Sequence, residues 1–206
     1  TTYSAYEYSV CRWAPDLARA LTSGANSMED DIIDSLYGAI RTVPDFPIEG
    51  IMFRDITPVL ADGELLTSLV DRMVTDMDAL GWQPTHIAGP ESRGFIFGSM
   101  VAERLGIGFI PVRKPGKLPH HVASAEYDLE YGTNTLEIHT DAVSEGDRVV
   151  IVDDLLATGG TVAATVGLCR GLGASVEGAM FLIELDGLGG SAKTGVDTHS
   201  LLNFPA

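Results

Sequence analysis

The sequence predicts an α/β fold in which a mainly parallel sheet is flanked by helices. Strand-like apolar runs alternate with segments of helical periodicity along most of the chain, which is the pattern of βαβ units. One run, Val149–Val152, is entirely apolar and β-branched, as a strand covered on both faces requires. Small and hydroxylated residues follow soon after it and open a helical segment, as at the ligand-binding edge of such sheets.

Four segments have the apolar spacing of amphipathic helices. They are predicted to run from Met28 to Ile40, Leu65 to Leu80, Phe97 to Leu105 and Val162 to Leu172. In the first of them we expect Glu29, Asp30 and Asp31 in the first turn, where the helix dipole favours acids. The second is expected to end near Gly81.

Five short apolar runs are predicted to be strands. They are Ile87–Gly89, Phe109–Val112, Thr135–His139, Arg148–Val152 and a run within Val176–Leu185. Residues 114–134 combine Pro, Gly, His and polar residues without periodicity, so we expect a long mobile loop there. A loop of that length inside a compact domain is typical of a functional lid.

The composition is that of one soluble globular domain. The chain has 206 residues, of which 45% are hydrophobic and 20% charged, so it has enough apolar mass for a core. No run approaches the ~18 apolar residues that a membrane span needs. The net charge of −16 repels nucleic acids and anionic lipids. Cys11 and Cys169 form no zinc or disulfide pattern, which fits a reducing cytoplasm.

The positive charge is concentrated in one part of this acidic chain. Residues 86–125 carry five basic and two acidic residues, and they include Lys114 and Lys117, two of the three lysines. A local positive field of this kind suits a confined site for a small polyanion. Chance clustering on a solvated face is the alternative.

Residues 1–27 differ in composition from the rest of the chain. They are rich in Ser, Thr, Tyr and Ala, hold no strand-like run and lack the pattern of a secretory signal. Trp13, Leu17 and Leu21 recur at helical spacing and predict a short helix. We therefore expect an extension of unassigned role over residues 1–27 and a single domain over residues 28–206.

The most informative segment follows the run Val149–Val152. It begins with two carboxylates, Asp153 and Asp154, and continues to Thr161 with small, apolar and hydroxylated residues. Glycines let backbone N–H groups turn inward, and a helix N-terminus adds positive potential, so a phosphate fits here beside the carboxylates. Neither the Walker lysine nor the dinucleotide glycine spacing is present. The alternative is an ordinary strand-to-helix turn capped by the aspartates.

The string DDLLATGGT at residues 153–161 resembles the PRPP-binding motif of the type I phosphoribosyltransferases, in the form typical of the adenine-specific members. Four other segments resemble motifs of that family in the same order. They are the base-binding segment at Phe46–Pro58, the pyrophosphate loop at Glu91–Phe95, the basic strand end at Val112–Pro119 and the lid at Tyr127–Gly132. The resemblance extends from about Met28 to Phe204.

This resemblance implies the type I phosphoribosyltransferase fold, a twisted and mainly parallel sheet with a small N-terminal hood and a mobile lid loop. It implies a purine-salvage enzyme that joins adenine to PRPP and forms AMP and pyrophosphate. Mg²⁺ is the expected cofactor, held mainly through PRPP and with no direct protein ligand assigned. A cytoplasmic homodimer is expected, with neither a nucleic acid nor a membrane as partner.

The resemblance also implies roles for individual residues. The phosphate and ribose of PRPP or AMP are expected to contact Asp153, Asp154, Ala157, Thr158, Gly159, Gly160 and Thr161. Pyrophosphate is expected to contact Glu91, Ser92, Arg93, Arg113, Lys114 and Lys117. Adenine is expected between Phe53 and Leu155, read by backbone groups around Met52 and Arg54. Glu130 is the expected catalytic residue, and Tyr131 is expected to belong to the closed lid.

The chemistry accounts for these residue types. Negative charge grows on the departing pyrophosphate while the sugar becomes cationic, so catalysis needs cations at the first and anions near the second. Glu130 would serve either as general acid/base or as an electrostatic stabiliser of the sugar. A nucleotide-sensing regulator of the same fold and a transferase for a 6-oxopurine or orotate are the alternatives. The regulator is disfavoured by the lid and the negative charge, and orotate by the scarcity of lysine in the lid.

Overall fold

A computed structural model of the chain describes residues 25–128 and 133–206. The helices are α1 (Ala25–Ala39), α2 (Thr57–Ala61), α3 (Gly63–Ala79), α4 (Arg93–Leu105) and α5 (Gly160–Gly171), with a 3-10 turn at Ser191–Lys193. The strands are β1 (Arg41–Pro44), β2 (Met52–Asp55), β3 (His86–Pro90), β4 (Gly108–Val112), β5 (Val122–Asp128), β6 (Thr133–His139), β7 (Arg148–Leu156), β8 (Ser175–Asp186) and β9 (Thr198–Pro205). The helix predicted around Trp13–Leu21 lies outside the described residues.

The centre of the molecule is a five-stranded parallel sheet in the order β4-β3-β7-β8-β9. The predicted parallel sheet is therefore confirmed. Residues Val149–Val152 of β7 are fully buried, and alternate residues enter the core on opposite sides of the sheet. This two-sided cover is the physical reason for the continuous apolar run in the sequence. Among the described helices, none is long and apolar enough to cross a membrane.

Helix boundaries follow the capping chemistry of the sequence. Asp62 caps α3 by accepting hydrogen bonds from the N–H groups of Glu64 and Leu65, at 3.1 and 3.0 Å. The expectation of acids in the first turn of the first helix was wrong, because α1 begins at Ala25 and its first turn contains no acid. Glu29 and the two residues after it therefore belong to the second turn.

The segment predicted as a long loop contains a strand. Residues 122–128 form β5, which pairs antiparallel with β6 from Val122 opposite His139 to Asp128 opposite Thr133. Ala123, Ala125 and Tyr127 pack against the core, whereas Ser124 and Glu126 are exposed. The expectation failed because alanine has a low β-propensity, which hid the alternation until tertiary packing supplied the burial.

The structure also contains strands that the sequence did not indicate. The antiparallel hairpin β1–β2 pairs Arg41 with Asp55, and β9 adds the last strand of the sheet beside β8. The Tyr37 hydroxyl binds the backbone N–H and carbonyl of Asn203, at 3.1 and 3.0 Å. Arg54 donates to the carbonyl of Pro205 at 2.9 Å, so β9 holds both α1 and the hairpin in place.

Candidate active site

The carboxyl ends of three neighbouring strands meet at one edge of the sheet. Pro90 at the end of β3 pairs with Val112 at the end of β4, and Ala88 of β3 pairs with Ile151 of β7. Because these strands are parallel, the residues that follow Pro90 and Val112 lie at the same level as the end of β7. The predicted pyrophosphate and ribose residues are thereby brought to one place.

Asp153 and Asp154 lie inside β7, which continues to Leu156, beyond its predicted end at Val152. Asp153 Oδ1 accepts a hydrogen bond from the backbone N–H of Asp154 at 2.9 Å, and the Asp154 residue is 3% exposed. Burial raises the pKa of Asp153 well above its usual value, and the neighbouring charge of Asp154 raises it further. Burial also raises the pKa of Asp154, although the Arg93 charge opposes this. Hydroxyl donors or a cation beside the pair would favour its ionised form.

Arg93 was expected in the loop before the helix, but it is the first residue of α4. A Cβ atom at Gly94 would lie 2.9 Å from the carbonyl oxygen of Val152 and 3.1 Å from Asp153 Oδ1, so only glycine allows α4 to begin this close to β7. The close approach places Arg93 Nε 3.1 Å from Asp154 Oδ2. The same guanidinium lies 6.0 Å from the centre of the Phe53 ring.

Three basic residues of this edge contact the carboxylate of Glu91. Its oxygens lie 2.6 Å from Lys117 Nζ and 3.2 Å from Arg113 Nε, and accept the backbone N–H of Lys114 at 3.1 Å. Burial works to raise the pKa of Glu91, but these hydrogen bonds outweigh it and the pKa lies below its usual value. The side chains of Ser92, Lys114 and Lys117 are exposed. The edge therefore presents cations, held in place by a buried anion.

The segment Ala157–Thr161, here called the phosphate loop, turns from β7 into α5. Gly159 adopts φ +80°, in the left-handed region that favours glycine, and is the N-cap of the helix. Among the described residues no side chain caps α5, so an anion can bind the N–H groups of its first turn. Thr161 Oγ1 lies 3.4 Å from the hydroxyl of Tyr127 on β5.

The base-binding candidates lie on β2 and at the end of β7. The ring of Phe53 is half-buried, with the edge of Phe46 packed against it at 5.1 Å between centroids. The Arg54 side chain is engaged elsewhere, since it donates to Thr42 Oγ1 at 2.5 Å and lies over the Phe204 ring. Met52 is exposed, and Leu155 is partly buried against the core. The Arg54 guanidinium is therefore committed to contacts with β1 and β9.

Comparisons with known proteins agree on one relationship. Residues 60–193 match the family described as phosphoribosyl transferase domain. An adenine phosphoribosyltransferase of Francisella tularensis subsp. novicida is 54% identical over 173 residues, which cover 84% of this chain and 99% of the relative. The chain belongs to the adenine phosphoribosyltransferase family. The family and enzyme class predicted from the order of the motifs are thereby confirmed.

Solved structures of other adenine phosphoribosyltransferases confirm the fold. The protein of Thermoanaerobacter pseudethanolicus is 51% identical, with a TM-score of 0.81 over 84% of this chain and 99% of that one. The protein of Saccharomyces cerevisiae is 39% identical, with a TM-score of 0.81 over the same shares, and is complexed with an imino-altritol bisphosphate and adenine. This chain therefore has the predicted type I fold, which it shares with both solved structures.

The residues of the predicted lid motif, Tyr127–Gly132, are only partly described. Glu130 and Tyr131 lie outside the described residues, between the ends of β5 and β6. The hydroxyl contact from Tyr127 to Thr161 places the described end of that hairpin beside the phosphate loop. Tyr127 was part of the predicted lid motif but was given no role of its own.

The sequence did not indicate one neighbour of the phosphate loop. The segment Gly187–Gly190, here called the buttress loop, contacts Ala157 and Gly159 through the backbone of Gly190. Its only signal in the sequence is three glycines in four residues, which predicts a turn but no partner for it. Such a contact is visible only once the sheet brings β7 and β8 together.

The donors at this edge of the sheet provide only part of a Mg²⁺ site. In the part of the chain that the structure describes, no group of three or more His, Cys, Asp or Glu side chains is arranged to hold a metal ion. Asp153 and Asp154 nevertheless offer carboxylate oxygens at the phosphate site, and Mg²⁺ is commonly held by one or two carboxylates together with substrate phosphates and water. The residues therefore suit a cation shared with a bound phosphate compound.

Proposed function

We propose that the chain transfers the 5-phosphoribosyl group of PRPP to adenine and releases AMP and pyrophosphate, a purine-salvage reaction. The observation that carries the proposal is the meeting, at one sheet edge, of the phosphate loop, the Asp153–Asp154 pair and the cations around Glu91. Each part suits one portion of PRPP, and membership of the adenine phosphoribosyltransferase family supports adenine as the acceptor.

Arg93, Arg113, Lys114 and Lys117 bind the pyrophosphate end of PRPP. Negative charge develops there as the bond to C1 of the ribose breaks, so fixed cations stabilise the transition state more than the ground state. Glu91 orients Arg113 and Lys117 through its short contacts with them. Ser92 offers a hydroxyl and backbone groups at the start of α4.

The phosphate loop binds the 5′-phosphate through backbone N–H groups and the hydroxyls of Thr158 and Thr161. Asp153 and Asp154 accept hydrogen bonds from the ribose hydroxyls, and each such bond favours the ionised carboxylate over the neutral form that burial promotes. The Arg93–Asp154 ion pair connects the ribose and pyrophosphate parts of the site. Mg²⁺ bound by PRPP beside these aspartates would neutralise part of the pyrophosphate charge.

Adenine lies between Phe53 and Leu155 and is recognised by backbone groups of Met52 and Arg54. The engagement of the Arg54 side chain with Thr42 and Pro205 supports a backbone reading at this position. A 6-oxopurine in the same place would leave buried donors and acceptors unpaired, which costs much more affinity than a change of apolar contact. Glu130 on the lid takes up the purine proton as the new bond forms; a Glu130 that stays ionised to stabilise the cationic sugar is the alternative role.

The active form that we propose is a cytoplasmic homodimer. Four apolar side chains in the segment between β1 and β2 and at the start of β2 are exposed, with fractions from 43% to 66%, and a second copy would cover them: Phe46, Ile48, Ile51 and Met52. Cys169 is a buried free thiol, which fits a reducing compartment.

The test is a nucleotide-forming assay with Mg²⁺, PRPP and adenine, hypoxanthine, guanine or orotate in turn. We expect AMP from adenine and little product from the other bases. In the same assay Glu130→Gln should lower turnover by roughly a hundredfold or more, the usual range for a lost general acid/base, with PRPP binding little changed. Glu126→Gln, the same change at an exposed position on β5, is the matched control and should keep its activity.

Different failures have different meanings. Product from another base alone would overturn adenine as the acceptor. PRPP binding without product from any base would favour a nucleotide-sensing regulator. Normal turnover by Glu130→Gln would remove Glu130 from the reaction while leaving the transferase activity in place.

A further inference from the structure

We propose that the buttress loop, Gly187–Gly190, is a positioning element for substrate binding, and that Gly190 fixes the backbone of the phosphate loop. This inference rests on the proposed function, in which the phosphate loop holds the 5′-phosphate. It assigns a role to a segment that lies outside the five motifs of the sequence. The buttress loop does not touch the ligand. It acts on the ligand through the backbone of the phosphate loop.

The two loops touch backbone to backbone. A Cβ atom added at Gly190 would collide with the carbonyl oxygen of Ala157, and it would lie 3.2 Å from Cδ1 of Leu156. A Cβ atom added at Gly159 would collide with the carbonyl oxygen of Gly190. Each loop therefore excludes a side chain at the glycine of the other, and no side chain separates them.

Gly190, the last residue of the buttress loop, is held by the turn that follows it. The carbonyl of Gly190 accepts a hydrogen bond from the N–H of Lys193 at 3.0 Å, which closes the 3-10 turn. Thr194 is 2% exposed, and its Oγ1 lies 2.9 Å from the carbonyl oxygens of both Ser191 and Val196. Because β8 is the neighbour of β7 in the sheet, both loops leave adjacent strand ends on a shared support.

The phosphate loop needs such support. Gly159 adopts a conformation that glycine reaches without constraint, and among the described residues no side chain caps the helix that follows. An anion site made of backbone N–H groups binds tightly only when those groups already point at the anion before it arrives. Contact with the buttress loop supplies that order, because the close approach of Gly190 limits how far the Ala157 carbonyl and Gly159 can move.

The test compares ligands that differ only in the phosphate, using Gly190→Ala in the full chain. Gly190 has φ −61° and ψ −45°, which alanine adopts readily, so the substitution acts through the collision alone. We expect the affinity for AMP to fall about tenfold or more, which corresponds to the loss of one hydrogen bond to the charged phosphate, while the affinity for adenosine is unchanged. In the enzyme assay the KM for PRPP should rise more than kcat falls.

Two further variants make the result decisive. Gly167→Ala on α5 is the matched control, since a Cβ atom there meets nothing within 4 Å, and it should leave the AMP-to-adenosine affinity ratio unchanged. Thr194→Val keeps the shape of the side chain and removes its hydrogen bonds to Ser191 and Val196, so it should lower the same ratio severalfold by loosening the turn that holds the Gly190 carbonyl. If Gly190→Ala does not fold, Thr194→Val carries the test.

The outcomes separate this inference from the function on which it rests. If the unmodified protein binds adenosine as tightly as AMP, the phosphate loop does not hold the 5′-phosphate and both proposals fail. If it prefers AMP and the folded variants Gly190→Ala and Thr194→Val keep that preference, the role of the buttress loop is overturned and the proposed function stands. A ratio lowered in these variants but not in Gly167→Ala supports the inference.

Discussion

Glu91 shows why the sign of a residue's charge does not define its role. A carboxylate beside pyrophosphate would repel it, yet this one lies beneath Arg113 and Lys117 and bonds to both. Its lowered pKa keeps it charged throughout the neutral range. The Glu91 carboxylate therefore orients the long side chains of Arg113 and Lys117, and it reduces the repulsion between their charges.

At this residue, Glu91→Gln is expected to raise the KM for PRPP about tenfold. The amide keeps the size of the side chain but loses the charge-assisted bonds, which contribute about 1.5–3 kcal/mol each, part of which the remaining contacts recover. Steady-state kinetics with varied PRPP measure the effect, and the KM for adenine should change little. Glu103→Gln, at an exposed carboxylate on α4, is the control. An unchanged KM for PRPP in Glu91→Gln would show that the cations need no such anchor.

Two elements at a distance from the site are joined by a partly buried ionic contact. Asp76 on α3 is 9% exposed, accepts a hydrogen bond from Arg72 Nε at 2.7 Å and lies 2.9 Å from His199 Nε2 on β9. Burial works to raise the pKa of Asp76, but the bonds with His199 and Arg72 outweigh it and the pKa is lowered. The contact links α3 to β9, the strand that also holds the β1–β2 hairpin.

The lowered pKa makes the stability of this link depend on acidity. Ionised Asp76 stabilises the fold at pH values above its unfolded-state pKa of about 4, and the contribution is lost as the pH falls through its lower folded-state pKa. Asp76→Asn is expected to lower the free energy of unfolding by about 2 kcal/mol at pH 7, and the difference from wild type should shrink below about pH 4. Denaturant unfolding across this pH range measures it.

Asp78→Asn is the control for that series, because it changes an exposed carboxylate on the same helix. It should leave the stability close to that of the wild type at every pH. A constant gap between wild type and Asp76→Asn from pH 7 to pH 3 would mean that the charge of Asp76 contributes nothing to the link.

The elements also show which features local sequence reports. The apolar run of β7, the turn into α5 and the stripes of α3 and α4 are local patterns, and they were predicted. β5 was missed because its inward residues are mostly small. The contact between Asp76 and His199 joins residues 123 positions apart, and that between Gly190 and Ala157 depends on strand order, so periodicity and spacing carry no sign of either.

At the scale of the whole molecule, the motifs define a catalytic core that does not include the beginning of the chain. The relatives match 173 residues of this chain while covering 99% of their own length, and α1 begins at Ala25. The described core is held by contacts among α1, the sheet and β9. Residues 25–27 belong to α1, and an extension of unassigned role over residues 1–27 stays a prediction.

Removal of residues 1–24 is therefore expected to leave kcat and the KM values for adenine and PRPP within about twofold of those of the full chain. Sedimentation should give the mass of two chains for both forms, because the exposed apolar residues between β1 and β2 are retained. A large loss of activity, or a change to one chain, would give the removed segment a structural role. The full chain with Glu130→Gln serves as the inactive reference in the same assays.

The bond from Arg54 to the Pro205 carbonyl spans 151 positions along the chain. The phosphate loop, in contrast, is a stretch of consecutive residues between β7 and α5. Closing a chain segment costs conformational entropy that grows with the logarithm of its length. The bond that holds β2 to β9 therefore closes a much longer loop than the turn of the phosphate loop does, and its entropic cost is correspondingly higher.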